Sequence, residues 1–464
     1  MATLETPFAD PDLETLRLKL NELLLAARRR GWGQDLGIAR YSDWKRHLFC
    51  YLIGAMKYPR IFLVPLCLAF VPSAAWGLGT RIADQNPEAT ARGNAFTATA
   101  DNPSAIYYNP AGITQLDGTR VLVGAYAISL KAKVSLDEGE PRSFSSTNTE
   151  LQYAPQSFLT WKHEKSPVAL GIGVYAPFGF ALDYPDDTPF RALAHKGKIE
   201  YLTVNPVFAL KLTRDLSIGL GAMVNYGKAE LEQGVLAKGD QFRFEGDGVD
   251  YGFNAGLLWT PYRMHRFGLN YRSETTMDFD GHSRLQYDGF TVPTPFGPFP
   301  VAGVDRREAA SAEFIFPQNL VLGYAFTPTE DWNFEFNLDW TDWDSLNTVT
   351  LRQKSGDVLL PFNWRSSFFY EFGVTKKFAH GLRASAGYIY SENSVPNESF
   401  NPTVPDSDRH IFSVGLGQQL ASFSWDLAYQ YTHGPERRID QGTAADGTYR
   451  FDSHAVTISV GYHF

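Results

Sequence analysis

The 464-residue chain has only two cysteines, Cys50 and Cys67. Both precede a candidate processing site, so the exported part offers no disulfide framework and no thiol chemistry. Long apolar runs are equally scarce. The longest, Ile61 to Val71, has 11 residues, well short of the roughly 20 that a helical span needs. With a mean hydropathy of -0.24, a multi-span helical membrane protein is excluded. Cations are outnumbered, 42 Lys and Arg against 51 Asp and Glu, for a net charge of -9. Nucleic acid is therefore excluded as a partner, because phosphate binding requires clustered cations. The ten histidines form no metal-spaced pair, and no Gly-x-Ser-x-Gly or phosphate loop occurs. No catalytic constellation, cofactor or metal site is expected.

What is abundant is aromatic: 34 Phe, 23 Tyr and 10 Trp, alongside 40 Gly and 27 Pro. This mixture points to an all-β chain rich in turns. Near the start, Met56-Lys57-Tyr58-Pro59-Arg60, the apolar run and Pro72-Ser73-Ala74-Ala75-Trp76-Gly77 have the three parts of a secretory signal. Cleavage after Ala75 or after Gly77 satisfies the small-residue requirement equally. Residues 56–77 are thus read as a signal peptide and 1–55 as an upstream extension, with Met56 favoured as the true start. Beyond residue 77 the chain carries 32 basic against 44 acidic residues, so the exported part is acidic.

From about residue 119 period-two alternation dominates, as in Trp332-Asn333-Phe334-Glu335-Phe336-Asn337-Leu338-Asp339-Trp340, where one face is apolar and the other polar. Fourteen strands are expected near 120–133, 152–163, 168–177, 201–212, 216–231, 249–259, 267–280, 311–326, 332–344, 366–378, 382–393, 410–419, 423–433 and 453–464. Short and long connections alternate between them. An even strand number with this alternation is the pattern of an antiparallel transmembrane β-barrel spanning 119–464, with both termini in the periplasm. Trp161, Trp259, Trp332, Trp340, Trp343 and Trp425 fall at strand ends, as interfacial girdles require.

Residues 78–118 lack this alternation. They contain Asn86-Pro87, Asn102-Pro103 and Asn109-Pro110, each a helix start with a capping Asn and a first-turn Pro. Three short helices make a unit too small for its own core, and the lumen of a fourteen-stranded barrel has room to hold it. The runs Gly79-Thr80-Arg81-Ile82, Ala91-Arg92-Gly93-Asn94-Ala95 and Asp101 to Gly112, with Asn109-Pro110-Ala111-Gly112 as the most specific, resemble the hatch of the long-chain fatty acid outer-membrane transporters of the FadL/TodX (OmpP1-like) family. Further echoes are Tyr271-Arg272-Ser273, Leu338 to Trp343 and Pro405 to Arg409. A terminal Phe464 on an alternating strand resembles the assembly signal read by the barrel assembly machinery of Gram-negative outer membranes.

The resemblance implies passive uptake of a hydrophobic ligand, a fatty acid or an aromatic or aliphatic hydrocarbon, by a monomeric channel in contact with outer-membrane lipid and lipopolysaccharide. A surface adhesin or receptor is the competing class. Gly171, Gly173, Tyr175, Met223, Leu258, Phe158, Phe369 and Ile389 are read as inward, either lining a path for apolar cargo or packing on the hatch. Inward Lys162, Lys211, Arg272 and Arg383 either meet a carboxylate head group or pair with inward Glu335, Asp339, Glu371 and Asp426. In the third strand, Gly171, Gly173, Pro177, Phe178 and Gly179 either end the strand or, as the family implies, kink it to open a lateral gap. The Pro- and Phe-rich loop 290–300 offers an apolar landing surface.

Overall fold

The computed structural model describes residues 81–464 apart from 138–142, 147–150, 236–238 and 295–296. The extension, the signal peptide, both cysteines and Gly79-Thr80 lie outside the described residues.

Fourteen antiparallel strands close on themselves. They are β1 (Gly118–Leu136), β2 (Gln152–Lys162), β3 (Val168–Tyr175, resuming as Gly179–Asp183), β4 (Lys196–Lys211), β5 (Leu216–Gly234), β6 (Gln241–Tyr262), β7 (His265–Arg272, resuming as Thr275–Tyr287) and β8 (Val304–Phe316, resuming as Asn319–Thr329). The circuit continues with β9 (Trp332–Thr341), β10 (Ser367–Lys377), β11 (Leu382–Ser391), β12 (Arg409–Gln419), β13 (Phe423–Ile439) and β14 (Gly447–His463). Each pairs with the next, and β1 pairs with β14 from Arg120↔His463 to Leu136↔Gly447. Closure removes the unpaired edges that a bilayer cannot satisfy.

Alternation sets the two faces. On β9, Trp332 and Phe334 are exposed outward, whereas Asn333, Glu335, Asn337 and Asp339 are buried inside. Trp161, Trp259 and Trp332 lie exposed near the short-turn ends of their strands, where interfacial indoles belong. Trp343 does not join them. It occupies a short 3₁₀ turn, Trp343–Ser345, and is buried inside against Trp364 at 4.9 Å between ring centroids. The alternation that placed it at a strand end stops at Thr341.

Five further strand readings are corrected. The seventh and eighth strands both break at one level, at Ser273-Glu274 and at Pro317-Gln318, because Pro317 has no amide to donate to a ladder. The third ends at Tyr175 rather than 177 and then resumes. β5 and β6 run beyond their expected ends, reducing the connection between them to 235–240.

Candidate functional site: a hatch, a buried cation and a break in the wall

The hatch is built from its asparagines. Asn86 caps α1 (Pro87–Ala91), accepting from the Glu88 amide at 3.0 Å. Asn109 caps a 3₁₀ helix, Pro110–Gln115, accepting from the Ala111 amide at 3.2 Å. Its amide nitrogen also donates to the carbonyls of Thr97 at 2.8 Å and Leu257 of the wall at 3.0 Å. The middle pair acts differently: Asn102 accepts from the Ser104 amide at 2.9 Å and closes a turn, so α2 starts two residues later, at Ala105–Tyr108. Gly112 lies so close to Ala100 that any Cβ would strike the Ala100 carbonyl.

The wall receives the hatch on bare backbone. A Cβ at Gly219 or Gly256 would fall on Asn109, Pro110 or Ala111; one at Gly268 on the Thr97 carbonyl; one at Gly373 or Gly387 on Arg92 and Gly93. These inward glycines of β5, β6, β7, β10 and β11 let the hatch main chain rest on the sheet without side chains between.

Buried charges then fasten it. Arg92 donates to Glu335 of β9 at 2.9 Å, and the same carboxylate accepts from the amides of Ala98 and Thr99 and from the Thr99 hydroxyl. Arg81 makes a two-pronged pair with Asp339, at 2.8 and 2.6 Å, and donates to Thr341 at 2.7 Å. Glu335 and Asp339, expected to serve cations of the wall, are thus claimed by two hatch arginines. Glu371 accepts from Asn337 at 2.9 Å.

The four candidate cations therefore separate. Arg383 pairs with Asp426 at 2.6 Å and with Glu88 at 3.3 Å. Lys162 pairs with Asp117 of the hatch end. Lys211 ends β4 and is exposed at the rim, because the strand runs out there before an inward position can be covered. Arg272 is different. It is only 3 % exposed, and its guanidinium meets the Tyr175 hydroxyl at 2.9 Å, the Met223 sulfur at 2.9 Å and the Tyr107 carbonyl at 3.3 Å. The Tyr107 ring lies 4.5 Å from it. Among the described residues no carboxylate stands within ion-pairing distance of Arg272.

Of the residues read as inward, Phe158, Tyr175, Gly171 and Gly173 pack on the hatch. Phe158 and Tyr175 belong to one buried cluster with Ile106 and Tyr107, and a Cβ at Gly171 or Gly173 would meet Ile106. Met223, Leu258 and Ile389 are buried as well, and Phe369 and Ile389 line a small cavity beside Arg81. A packed apolar cluster is made by other residues on the long-loop side. Its middle is Phe178, Tyr201 and Phe316, with ring centroids 4.4 to 5.3 Å apart. Trp343, Phe400, Tyr184 and Phe190 from the long connections fill around them. Sequence reading named only Phe178 and Trp343 of this group, since the loop aromatics follow no period.

Phe178 stands at the break in the wall. β3 pairs with β2 only as far as Gln156↔Tyr175, and its resumed part pairs with β4 alone. Against β4, three residues, Ala176, Pro177 and Phe178, face two, Tyr201 and Leu202, which is a one-residue bulge. The carbonyls freed there are taken by the hatch: the Ile82 backbone N–H donates to Pro177 and the Gln85 side-chain Nε2 to Ala176, both at 2.8 Å, and Arg81 bridges Phe178.

A family model described as outer membrane protein transport protein (OMPP1/FadL/TodX) matches residues 68–464. The long-chain fatty acid transport protein of Escherichia coli strain K12 is 22% identical over 443 residues, covering 86% of this chain and 96% of that protein. Outer membrane protein P1 of Haemophilus influenzae is 20% identical over 431 residues, covering 79% and 91%. Among solved structures, a Pseudomonas aeruginosa FadL homologue aligns with a TM-score of 0.72 at 19% identity, covering 83% of this chain and all of the other. The Pseudomonas putida toluene transporter TodX aligns at 0.64 and 16%, covering 84% and 100%.

Proposed function

As this chain belongs to the OMPP1/FadL/TodX family of outer-membrane transport proteins, we propose that it admits hydrophobic small molecules passively and that its preferred cargo is a long-chain fatty acid. The observation that carries this reading is Arg272. Its hydrogen-bond partners are all neutral, with Asp339 nearby but beyond ion-pairing distance, and a carboxylate in direct contact would add paired, charge-assisted hydrogen bonds. The acyl tail would then lie against the cluster of Phe178, Tyr201 and Phe316, gaining about 25 cal/mol per Å² of apolar surface removed from water. A neutral hydrocarbon gives nothing to Arg272. The relatives named as long-chain fatty acid transport proteins support the same choice, whereas the aromatic lining favours an aromatic hydrocarbon as the second reading.

Cargo leaves sideways through the break at Ala176-Pro177-Phe178, where the hatch segment Arg81–Gln85 acts as the cover. The hairpin of Phe290–Thr294 with Gly297–Val301 is the outer landing surface. The protein works as a monomer among outer-membrane lipid and lipopolysaccharide, and Phe464, 73% exposed at the end of the last strand, is the contact for the assembly machinery.

Labelled oleate and toluene uptake, with and without the gene and with Arg272→Met, tests the reading. Loss of oleate uptake with toluene uptake retained is the expected result for Arg272→Met. Equal loss or equal retention of both removes the fatty-acid preference, and unchanged uptake on deleting the gene favours an adhesin or receptor.

A further inference from the structure

The hatch does not meet the wall in the same way all round. On the arc from β5 to β11 its main chain lies on glycines. On the opposite arc, β12, β13, β14, β1 and β2, Gly415 and Ala428 face α1, and the inward positions around them include the polar Ser413, Gln430, Thr457, Ser459 and Gln156, with Gly124 between the last two in register. The hydroxyls of Thr457 and Ser459, 1 % and 2 % exposed, have no hydrogen-bond partner among the described residues, nor does the side-chain carbonyl oxygen of Gln156 or the hydroxyl of Thr160. Buried polar atoms of this kind are satisfied by water as a rule.

Two cavities flank this strip. On the lumen side one of about 50 Å³ is bordered by Asp84, Gln430, Tyr126 and Ser453. On the side of the short turns a larger one of about 310 Å³ is bordered by Glu88, Asp101, Leu122, Ser424, Asp426 and Gly461. Thr457 and Ser459 stand on β14 between Ser453 above and Gly461 below, so the unpartnered hydroxyls cover the part of that interval nearer Gly461, and the small side chain of Ala455 covers the rest. One water needs roughly 10–15 Å³ of such volume, and both cavities exceed that.

We propose that this arc is a hydrated seam through which water passes between the lumen and the periplasm, separate from the route of the hydrophobic cargo. Cargo entering a closed lumen must displace solvent, and the break at Pro177 opens toward lipid, where water gains nothing. The seam gives that solvent a polar way out while α1 keeps it too narrow for an acyl chain or an aromatic ring.

The test is osmotic. Purified full-length protein in vesicles of saturated phosphatidylcholine with cholesterol is mixed with a sucrose gradient in a stopped-flow instrument, and shrinkage is followed by light scattering. The wild type is expected to shrink its vesicles faster than protein-free vesicles, with a weaker temperature dependence. Thr457→Val with Ser459→Ala removes both hydroxyls at nearly constant shape, leaving an apolar constriction that dewets. Its vesicles are expected to return to the protein-free rate, while oleate uptake in cells and the heat-modifiable gel shift remain those of the wild type. Ala428→Ser, which adds a hydroxyl beside Thr457 in register, is expected to raise the rate. Wild-type shrinkage equal to that of protein-free vesicles overturns the proposal, and so does a double variant that conducts water as the wild type does. Loss of oleate uptake in the double variant overturns the separation of the two routes, whereas wild-type cells that take up no oleate would count against the proposed cargo and leave the seam standing.

Discussion

Replacing Glu335 with Ala removes the densest single fastening between hatch and wall. Its side chain and that of Arg92 are 0 % and 1 % exposed, and one carboxylate serves the Arg92 guanidinium at 2.9 Å, the Ala98 amide at 2.7 Å, the Thr99 amide at 3.2 Å and the Thr99 hydroxyl. Deleting one partner of a buried pair costs about 3–5 kcal/mol, and each buried donor left unmade costs about 1–3 kcal/mol. These losses share one network and do not add. A figure of about 4 kcal/mol for seating the hatch follows, equal to roughly a thousandfold more frequent opening at about 1.4 kcal/mol per tenfold. The barrel is untouched, because β9 keeps its backbone ladders to β8 and β10. Hydrogen exchange read by mass spectrometry across residues 87–116 is the assay, with the gel shift reporting the barrel. Fast exchange at Ala98 and Thr99 with a normal gel shift is expected. Arg92→Met combined with Glu335→Gln should recover much of the protection, since neither charge is then left alone. Unchanged exchange in Glu335→Ala, or a barrel that fails to assemble, would refute the reasoning.

Asn109→Ala should loosen the hatch by about 1 kcal/mol through the lost cap, seen as faster exchange over Pro110–Gln115 with the barrel still assembled. Deleting Pro177 leaves Ala176 and Phe178 facing Leu202 and Tyr201 one to one, so β3 and β4 should pair continuously. Uptake should then fall while ligand still binds at the outer loops, and normal transport by this variant would mean that cargo does not leave sideways. His195, in the connection before β4, has its pKa raised by the hydrogen bond to Glu232 at 3.1 Å. A raised folded value contributes stability that is complete below the unfolded value of about 6.5 and is lost as pH rises through the folded value. Proteolysis of the 184–195 connection should therefore quicken from pH 6 toward pH 8, and His195→Ala should cleave at a pH-independent rate.

The barrel was legible because each strand carries its own two-residue period, and β9 shows it without exception over nine residues. Two of the three hatch helix starts, at Asn86-Pro87 and Asn109-Pro110, were legible because an Asn-Pro start is local chemistry. What escaped was anything requiring distant strands to be stacked. Gly219, Gly256, Gly268, Gly373 and Gly387 stand alone in five different strands, and only closure turns them into one seat. The signal was there in principle, since each occupies an inward position. Alternation places Glu335 and Asp339 inward, but their pairing with Arg92 and Arg81 exists only once the hatch is seated, and no local pattern encodes it. Residue type alone points to Arg272; that no carboxylate of the described residues lies within ion-pairing distance of it is a property of the assembled interior.

The joint between β1 and β14 has a consequence for biogenesis. β1 follows the hatch directly, yet its partner is the last strand made, and the two meet along a register running from Arg120↔His463 to Leu136↔Gly447. Such a contact between opposite ends of the chain forms slowly. The seat for the hatch is spread over β5 to β11, so it exists only once most of the sheet is in place. The hatch must therefore wait on an open, curling sheet and be enclosed by the final docking step. Afterwards it is tethered at Gly118 to the strand that sealed it in, so hatch and closing joint share one covalent hinge.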